Sequence, residues 1–439
     1  MLKKIDLRGS KIEQIKEILN DRSQKDLNQY RETARSILQD IQKRGDKALY
    51  EYTSRFDQVD LNKETVKVSK QEIEKAKEKV DQKFLKALEN AADNIKKFHE
   101  EQKDRSWQKQ DSPGRISGQI CRALETAGIY VPGGRASYPS SVLMTAIPAK
   151  VAGVENIVMV TPPGENKKLS PEILAAAEVA GVDSIYKVGG AQAIGALAYG
   201  TETIPFVDII VGPGNIYVTM AKELVFGEVK IDMTAGPSEV LILADQDSNP
   251  RYIAADLMSQ AEHDPLASSI LVTDSEELGE KVIEEIENQI EGLSKKEIIK
   301  ESLNNYGLLI EVQKLKDGLE VINQIAPEHL ELAVDKPFDL LPEVKNAGSI
   351  FMGENTPEPL GDYYAGPNHV LPTEGTARFF SPLSVRDFVK FSSFIYYSEE
   401  ALLEASDDVI TLAEGEGLTA HANSIKVRKE KLEGEDNAN

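Results

Sequence analysis

The sequence predicts an α/β protein made of two doubly wound, Rossmann-like parallel-sheet lobes, with a helical N-terminal segment and a small C-terminal segment. Three observations carry that prediction. From about residue 127 short apolar runs alternate with helical stretches, and such alternation builds parallel sheets with helices on both faces. The alternation comes in two series, 128–237 and 238–381. A chain of 439 residues also suffices for roughly two to four domains.

The elements follow in chain order. Residues 1–25 are set apart as an N-terminal arm. Residues 26–110 read as Lys- and Glu-rich helices, as in "RETARSILQDIQKRGDKALYEYT" and "KFLKALENAADNIKKFHEEQ", with apolar residues three and four apart. Residues 26–127 are assigned, with 238–381, to the lobe carrying the metal and acid–base candidates. In the 128–237 lobe, "NIVMVT" is a strand and "LSPEILAAAEVAG" a helix with Ser170 as cap and Pro171 in its first turn. "SIYKVGG" leads into "AQAIGALAYG", and "VDIIVGPGN" into "IYVTMAKELV". The second series pairs "EVLILAD" with "RYIAADLMSQAEH", "SSILVTD" with "EELGEKVIEEIENQI", and "YGLLIEV" with "KDGLEVINQI". Ligands of such sheets bind at the strand carboxyl ends, in a crevice. Residues 382–430 break the pattern as a small C-terminal domain, and the polar 431–439 has so little to bury that a disordered tail is expected. No fixed-period repeat is visible.

Composition excludes several roles. The apolar share of 41% with 28% charged residues is that of a soluble globular chain. A net charge of −22 repels phosphate backbones and anionic lipid, which argues against nucleic-acid or membrane partners. "MLKKIDLRGS" has no apolar core after its lysines and does not read as a signal peptide. No apolar run approaches the ~20 residues of a membrane span. A cytoplasmic location is expected. Cys121 is the only cysteine, so neither an intrachain disulfide nor a Cys-rich zinc site is available. With only Arg122 beside it to favour a thiolate, Cys121 reads as structural.

The dinucleotide fingerprint G-x-G-x-x-G is missing. "VGGAQAIG" and "VGPGNIY" are glycine turns at strand ends, able either to cradle a phosphate or simply to make tight turns. "GIYVPGGRASYPSS", with Tyr130 and Arg135, is composed like a ligand-facing loop. Of the five histidines, His99 lies in a charged helical stretch and is expected on a solvated face. His263 in "MSQAEHDP", His329 in "APEHLEL", His369 in "GPNHVLPT" and His421 in "EGLTAHANS" stand at element ends near carboxylates, Pro or Gly. Imidazole suits both metal ligation and proton transfer. Adjacent residues do not share a face, so Glu328 and His329 must sit in a turn to converge. The residues alone suggest zinc held by His263, His421 and Asp362, with Glu328 or His329 moving protons. A zinc hydrolase or a non-catalytic metal- or nucleotide-binding scaffold would use similar residues.

The ordered blocks "GIYVPGGRASYPSSVLM", "GGAQAIGALAYGT", "VGPGNIYVTMAK", "DMTAGPSEVL", "DLMSQAEHDP", "IAPEHLEL", "GDYYAGPNHVLPT" and "EGLTAHANS" resemble the signature blocks of the histidinol dehydrogenase family. The resemblance implies oxidation of L-histidinol through L-histidinal to L-histidine with two NAD⁺ and one zinc ion per subunit, the last step of histidine biosynthesis. It implies zinc ligands Gln260, His263, Asp362 and His421, although a neutral amide is a weak zinc ligand. It implies substrate contacts from Ser238, Gln260, His263, His329, Asp362, Glu416 and His421, and NAD contacts from Tyr130, Gln192 and Asn215. Glu328 and His329 would be the catalytic pair. A homodimer is implied, in which the segment with Glu416 and His421 completes the partner's site.

Overall fold

The computed structural model describes residues 2–8, 27–133, 138–164, 167–234 and 236–436. Most of the predicted N-terminal arm, Arg135 and the last three residues of the predicted tail lie outside them. Strand β1 spans Lys3–Asp6, β2 Trp107–Ser112 and β3 Arg115–Ala123. β4 (Thr126–Tyr130), β5 (Asn156–Val160), β6 (Ser184–Tyr186), β7 (Ile209–Val211) and β8 (Lys230–Ile231) follow. Then come β9 (Glu239–Ala244), β10 (Ser268–Thr273), β11 (Leu308–Glu311), β12 (His329–Ala333), β13 (Ser349–Met352) and β14 (Val389–Tyr397).

The chain divides into two units, one of residues 1–102 and 124–388, the other of residues 103–123 and 389–439. The first holds two parallel sheets, ordered β6-β5-β4-β7-β8 and β1-β11-β10-β9-β12-β13. Counted within each lobe, both run third-second-first-fourth-fifth, with β1 added to the second at its outer edge. The order reverses beside β4 in one and beside β9 in the other, and those are the switch points where such folds bind ligands.

Burial on both faces explains the near-continuous apolar strands. Ile157 and Met159 of β5 point into one core with helices Gln82–Glu100, Pro139–Ala152 and Pro171–Ala180. Val158 and Val160 point into the other, with helices Asn28–Arg44, Asp46–Asp57, Gly190–Tyr199 and Ile216–Val225. The Ser170 hydroxyl accepts from the Ile173 N–H, and Pro171 opens its helix as the sequence predicts. The N-terminal helices therefore pack on the 128–237 lobe, not with 238–381 as predicted. Their period marks an apolar stripe but not the sheet that receives it. Helix Asn28–Arg44 packs closely on helix Gly190–Tyr199: a Cβ on Gly195 would stand 3.1 Å from Leu38 and 3.3 Å from Ile41, a tight contact that glycine relieves.

The second unit is the antiparallel sheet β14-β3-β2 with helices Glu399–Gly415 and Thr419–Asp436. Residues 103–123 belong here rather than in a lobe, because β3 pairs along its whole length with β14, a non-local contact that no local pattern reveals. The expected tail is helical through Asp436, where Lys429 bridges to Asp407 at 2.6 Å and Glu433 at 3.7 Å. Among the described residues no helix is long and apolar enough to cross a membrane.

Candidate active site

The last turn of helix Pro250–Ala261 brings up Gln260 and His263. Asn249 caps this helix through the Arg251 N–H, Pro250 starts it, and Ile253, Ala254, Leu257, Met258 and Ala261 bury its inner face. Gln260 is fully buried, and neither atom of its amide has a partner among the described residues. His263 is exposed beyond the helix end, its N–H donating to the Gln260 carbonyl at 3.3 Å. Helix Glu358–Tyr363 supplies Glu358 and Asp362, one turn apart. One ligand atom from each of His263, Glu358 and Asp362 lies within 4.8 Å of the others. Ser259 Oγ donates to Glu358 Oε2 at 3.0 Å, and the Glu358 N–H donates to Glu331 Oε1 at 2.8 Å.

Glu328 was expected to need a turn to meet His329. Glu328 lies in a bend after Pro327, as expected, His329 opens β12, and both reach one residue across the β9–β12 pairing. The Glu239 N–H donates to Glu328 Oε2 at 2.8 Å, and the Glu239 carbonyl accepts from His329 Nδ1 at 2.9 Å. A carbonyl can only accept, so Nδ1 carries a proton and a neutral His329 keeps its free lone pair on Nε2. That nitrogen is buried, 3.7 Å from Asp362 Oδ1, with no hydrogen-bond partner among the described residues. Burial pushes the Glu328 carboxyl up to about 8, partly opposed by His329. Burial disfavours the His329 imidazolium, but Glu328, Asp362 and Glu358 outweigh it and raise its pKa to about 10. Around Asp362 the burial effect is likewise overcome by His329, His369 and His263, which hold its carboxyl below the usual range.

The neighbouring groups fall into place around this pair. Ser238 directly precedes Glu239 and passes its carbonyl to the Ser268 N–H at 3.0 Å. His369 donates from Nδ1 to the Asp362 carbonyl at 3.0 Å, and its Nε2 faces the Ser141 hydroxyl at 3.4 Å. His99, expected on a solvated face, is fully buried and bonded through Nδ1 to the Ile95 carbonyl at 2.8 Å. It continues the buried stripe of Leu88, Ala92 and Ile95, a helical spacing that outweighs the charges around it. Glu416 caps the Glu399–Gly415 helix and His421 lies in the first turn of Thr419–Asp436, both exposed, in the second unit.

Tyr130, Gln192 and Asn215 line one cavity of about 930 Å³ at the carboxyl ends of β4, β6 and β7. The Tyr130 hydroxyl accepts from the Gly190 N–H at 3.1 Å, and the Asn215 side chain caps its helix through the Tyr217 and Val218 N–H groups. Gly212 makes the turn at φ +109°, where a Cβ would stand 2.2 Å from the Tyr130 carbonyl oxygen. Gln192 Oε1 is buried without a partner among the described residues. Glu358 was missed by sequence reasoning; its signal was the four-residue spacing to Asp362 in "PEPLGDY".

Two Rossmann-ordered lobes, a metal-competent cluster beside a buried acid–base pair and a switch-point cavity define an α/β oxidoreductase acting on a small molecule. The chain belongs to the histidinol dehydrogenase family, whose description matches residues 20–429. It is 60% identical over 410 residues to the histidinol dehydrogenase of Caldanaerobacter subterraneus subsp. tengcongensis, covering 93% of this chain and 95% of that one. Identity to the Lactococcus lactis histidinol dehydrogenase is 51%, over 98% and 100% of the two chains. The crystal structure of histidinol dehydrogenase from Elizabethkingia anophelis superposes with a TM-score of 0.92 at 37% identity, covering 98% of this chain and 99% of that one.

Proposed function

We propose that the protein oxidises L-histidinol through L-histidinal to L-histidine, using NAD as hydride acceptor and one zinc ion. The observation that carries this reading is His329, whose Nε2 is turned towards Asp362 beside a metal-competent cluster by a bond that fixes the other nitrogen. The donor set fits zinc. It holds oxygen and nitrogen atoms, and the buried, unsatisfied Gln260 amide makes sense as a group whose partner is a ligand. Gln260, His263 and Asp362 would hold the ion together with the partner's His421, and Glu358 is close enough to join or to orient them. Zinc bound there would serve as a template for the substrate's nitrogens, and so for its carbinol carbon.

His329 Nε2 takes the hydroxyl proton as the carbinol carbon gives up hydride. Compensating the negative charge of Glu358 and Asp362 weakens the hold on the imidazolium proton, so that Nε2 is available as base. Glu328 activates the water that hydrates the aldehyde, and His329 acts again on the hydrate. NAD anchored through the cavity of Tyr130, Gln192 and Asn215 would supply the hydride acceptor to the carbinol carbon beside His329. Within the second unit β14 leaves Phe391, Ile395, Tyr396 and Tyr397 exposed by 44%, 76%, 56% and 44%. That exposed apolar surface suits an interface with a second copy of this chain, and in the proposed homodimer the partner would supply Glu416 and His421. NADH formation from L-histidinol, abolished by chelation and restored by zinc, tests the reading. A hydrolase or a scaffold forms none.

A further inference from the structure

Asp57 is the last residue of helix Asp46–Asp57, followed by Gln58 in the left-handed region at φ 57°. It lines the switch-point cavity with Tyr130, Gln192 and Asn215. Its Oδ2 is buried and has no hydrogen-bond partner among the described residues. Burial pushes the carboxyl up to about 6, and no charged group among the described residues counters the effect. It is near enough to Tyr130 to add to the rise of that phenol's pKa. Among the described lining residues the only other charged group is Lys168, and Phe56, half exposed, adds an aromatic surface next to Asp57.

A carboxylate accepts hydrogen bonds and cannot donate them, so a lone one in a ligand cavity waits for a donor. The ribose of a dinucleotide offers hydroxyls, and folds of this order use an acidic residue to hold the 2′-hydroxyl. The usual residue follows a glycine fingerprint that this chain lacks. Here the acid arrives from a helix that precedes the sheet. No residue of 238–369 lines the cavity among those described. The nicotinamide must reach the carbinol carbon beside His329, so the part enclosed by the cavity is the adenosine end.

The geometry points to Asp57 as the residue that selects NAD over NADP, by accepting a hydrogen bond from the 2′-hydroxyl of the adenosine ribose. A 2′-phosphate would put negative charge against it. This rests on the reading that the cavity holds NAD. Calorimetric titration of the zinc-loaded protein with NAD, NADP and 2′-deoxy-NAD tests it without any turnover. The unmodified protein binds NAD about 10- to 100-fold more tightly than 2′-deoxy-NAD, the worth of a hydrogen bond to a charged group. Asp57→Asn weakens NAD and tightens NADP, lowering their affinity ratio about tenfold or more. Asn215→Ala weakens both and leaves the ratio alone. If Asn215→Ala weakens both cofactors while Asp57→Asn leaves the ratio unchanged, or if 2′-deoxy-NAD binds as well as NAD, Asp57 is not the selector although the cavity is the cofactor site. If NAD binds and neither variant alters it, the cavity reading fails and the assignment with it.

Discussion

Replacing Glu328 with Gln separates the two halves of the proposed reaction. The glutamine keeps the length and an oxygen for the Glu239 N–H, held at 2.8 Å by the carboxylate, so the fold should persist. Two consequences follow from the lost charge. Glu328 Oε2 stands 3.6 Å from His329 Nδ1. A unit pair at that distance is worth about 1 kcal/mol in water and about 5 kcal/mol at an effective dielectric of about 20. Glu328 is the largest of the influences raising the pKa of His329, so its removal lowers that pKa by about one to three units. The neutral base then survives to lower pH, and the acid limb of the first hydride transfer moves down by that amount. Hydration of the aldehyde, which only the second transfer needs, loses its base and slows about 10²–10⁴-fold, or ~3–5 kcal/mol. In a single-turnover experiment NADH appears in a burst near one equivalent per site and then creeps towards two. His329→Asn should suppress the burst itself. Loss of the burst in Glu328→Gln as complete as in His329→Asn would refute the division of labour and make the two residues one coupled base.

Three further outcomes are expected. Ser259→Ala removes the hydroxyl that donates to Glu358 at 3.0 Å and should weaken zinc about 10- to 100-fold in competition with a chromogenic chelator; unchanged affinity would detach Glu358 from the metal site. Asn215→Ala should raise the KM for NAD far more than that for histidinol and cost about 1 kcal/mol in denaturant unfolding through the lost helix cap; a defect confined to histidinol would put the cofactor elsewhere. Mixed His263→Ala and His421→Ala chains, each inactive alone, should regain activity in hybrid dimers, and none regained despite proven chain exchange would count against sites shared between subunits.

Much of the fold is legible in local pattern. The doubly buried strands show as short apolar runs, and the cap at Ser170 and the turn glycines punctuate them where the structure does. The turns of Tyr130, Gln192 and Asn215 were distinct in the sequence, and their convergence follows from the strand order around β4. What stayed hidden depends on contacts far apart in the chain. The partner sheet of the N-terminal helices is set by long-range packing, such as that of Leu38 and Ile41 on Gly195. The meeting of Glu328 and His329 is set by one peptide of β9, and the company of Glu358 by a serine about a hundred residues earlier. His99 misled because charged neighbours are more conspicuous than a period, yet its position in the stripe of Leu88, Ala92 and Ile95 was there to be counted.

In the proposed reaction one site performs two successive hydride transfers on one substrate without releasing the aldehyde. The most direct test is the ratio of NADH formed to L-histidinol consumed by the zinc-loaded protein, with the product identified and an aldehyde trap present. Two NADH per histidinol are expected, with L-histidine as product and no trapped aldehyde. A ratio of one with the aldehyde captured in solution would contradict it.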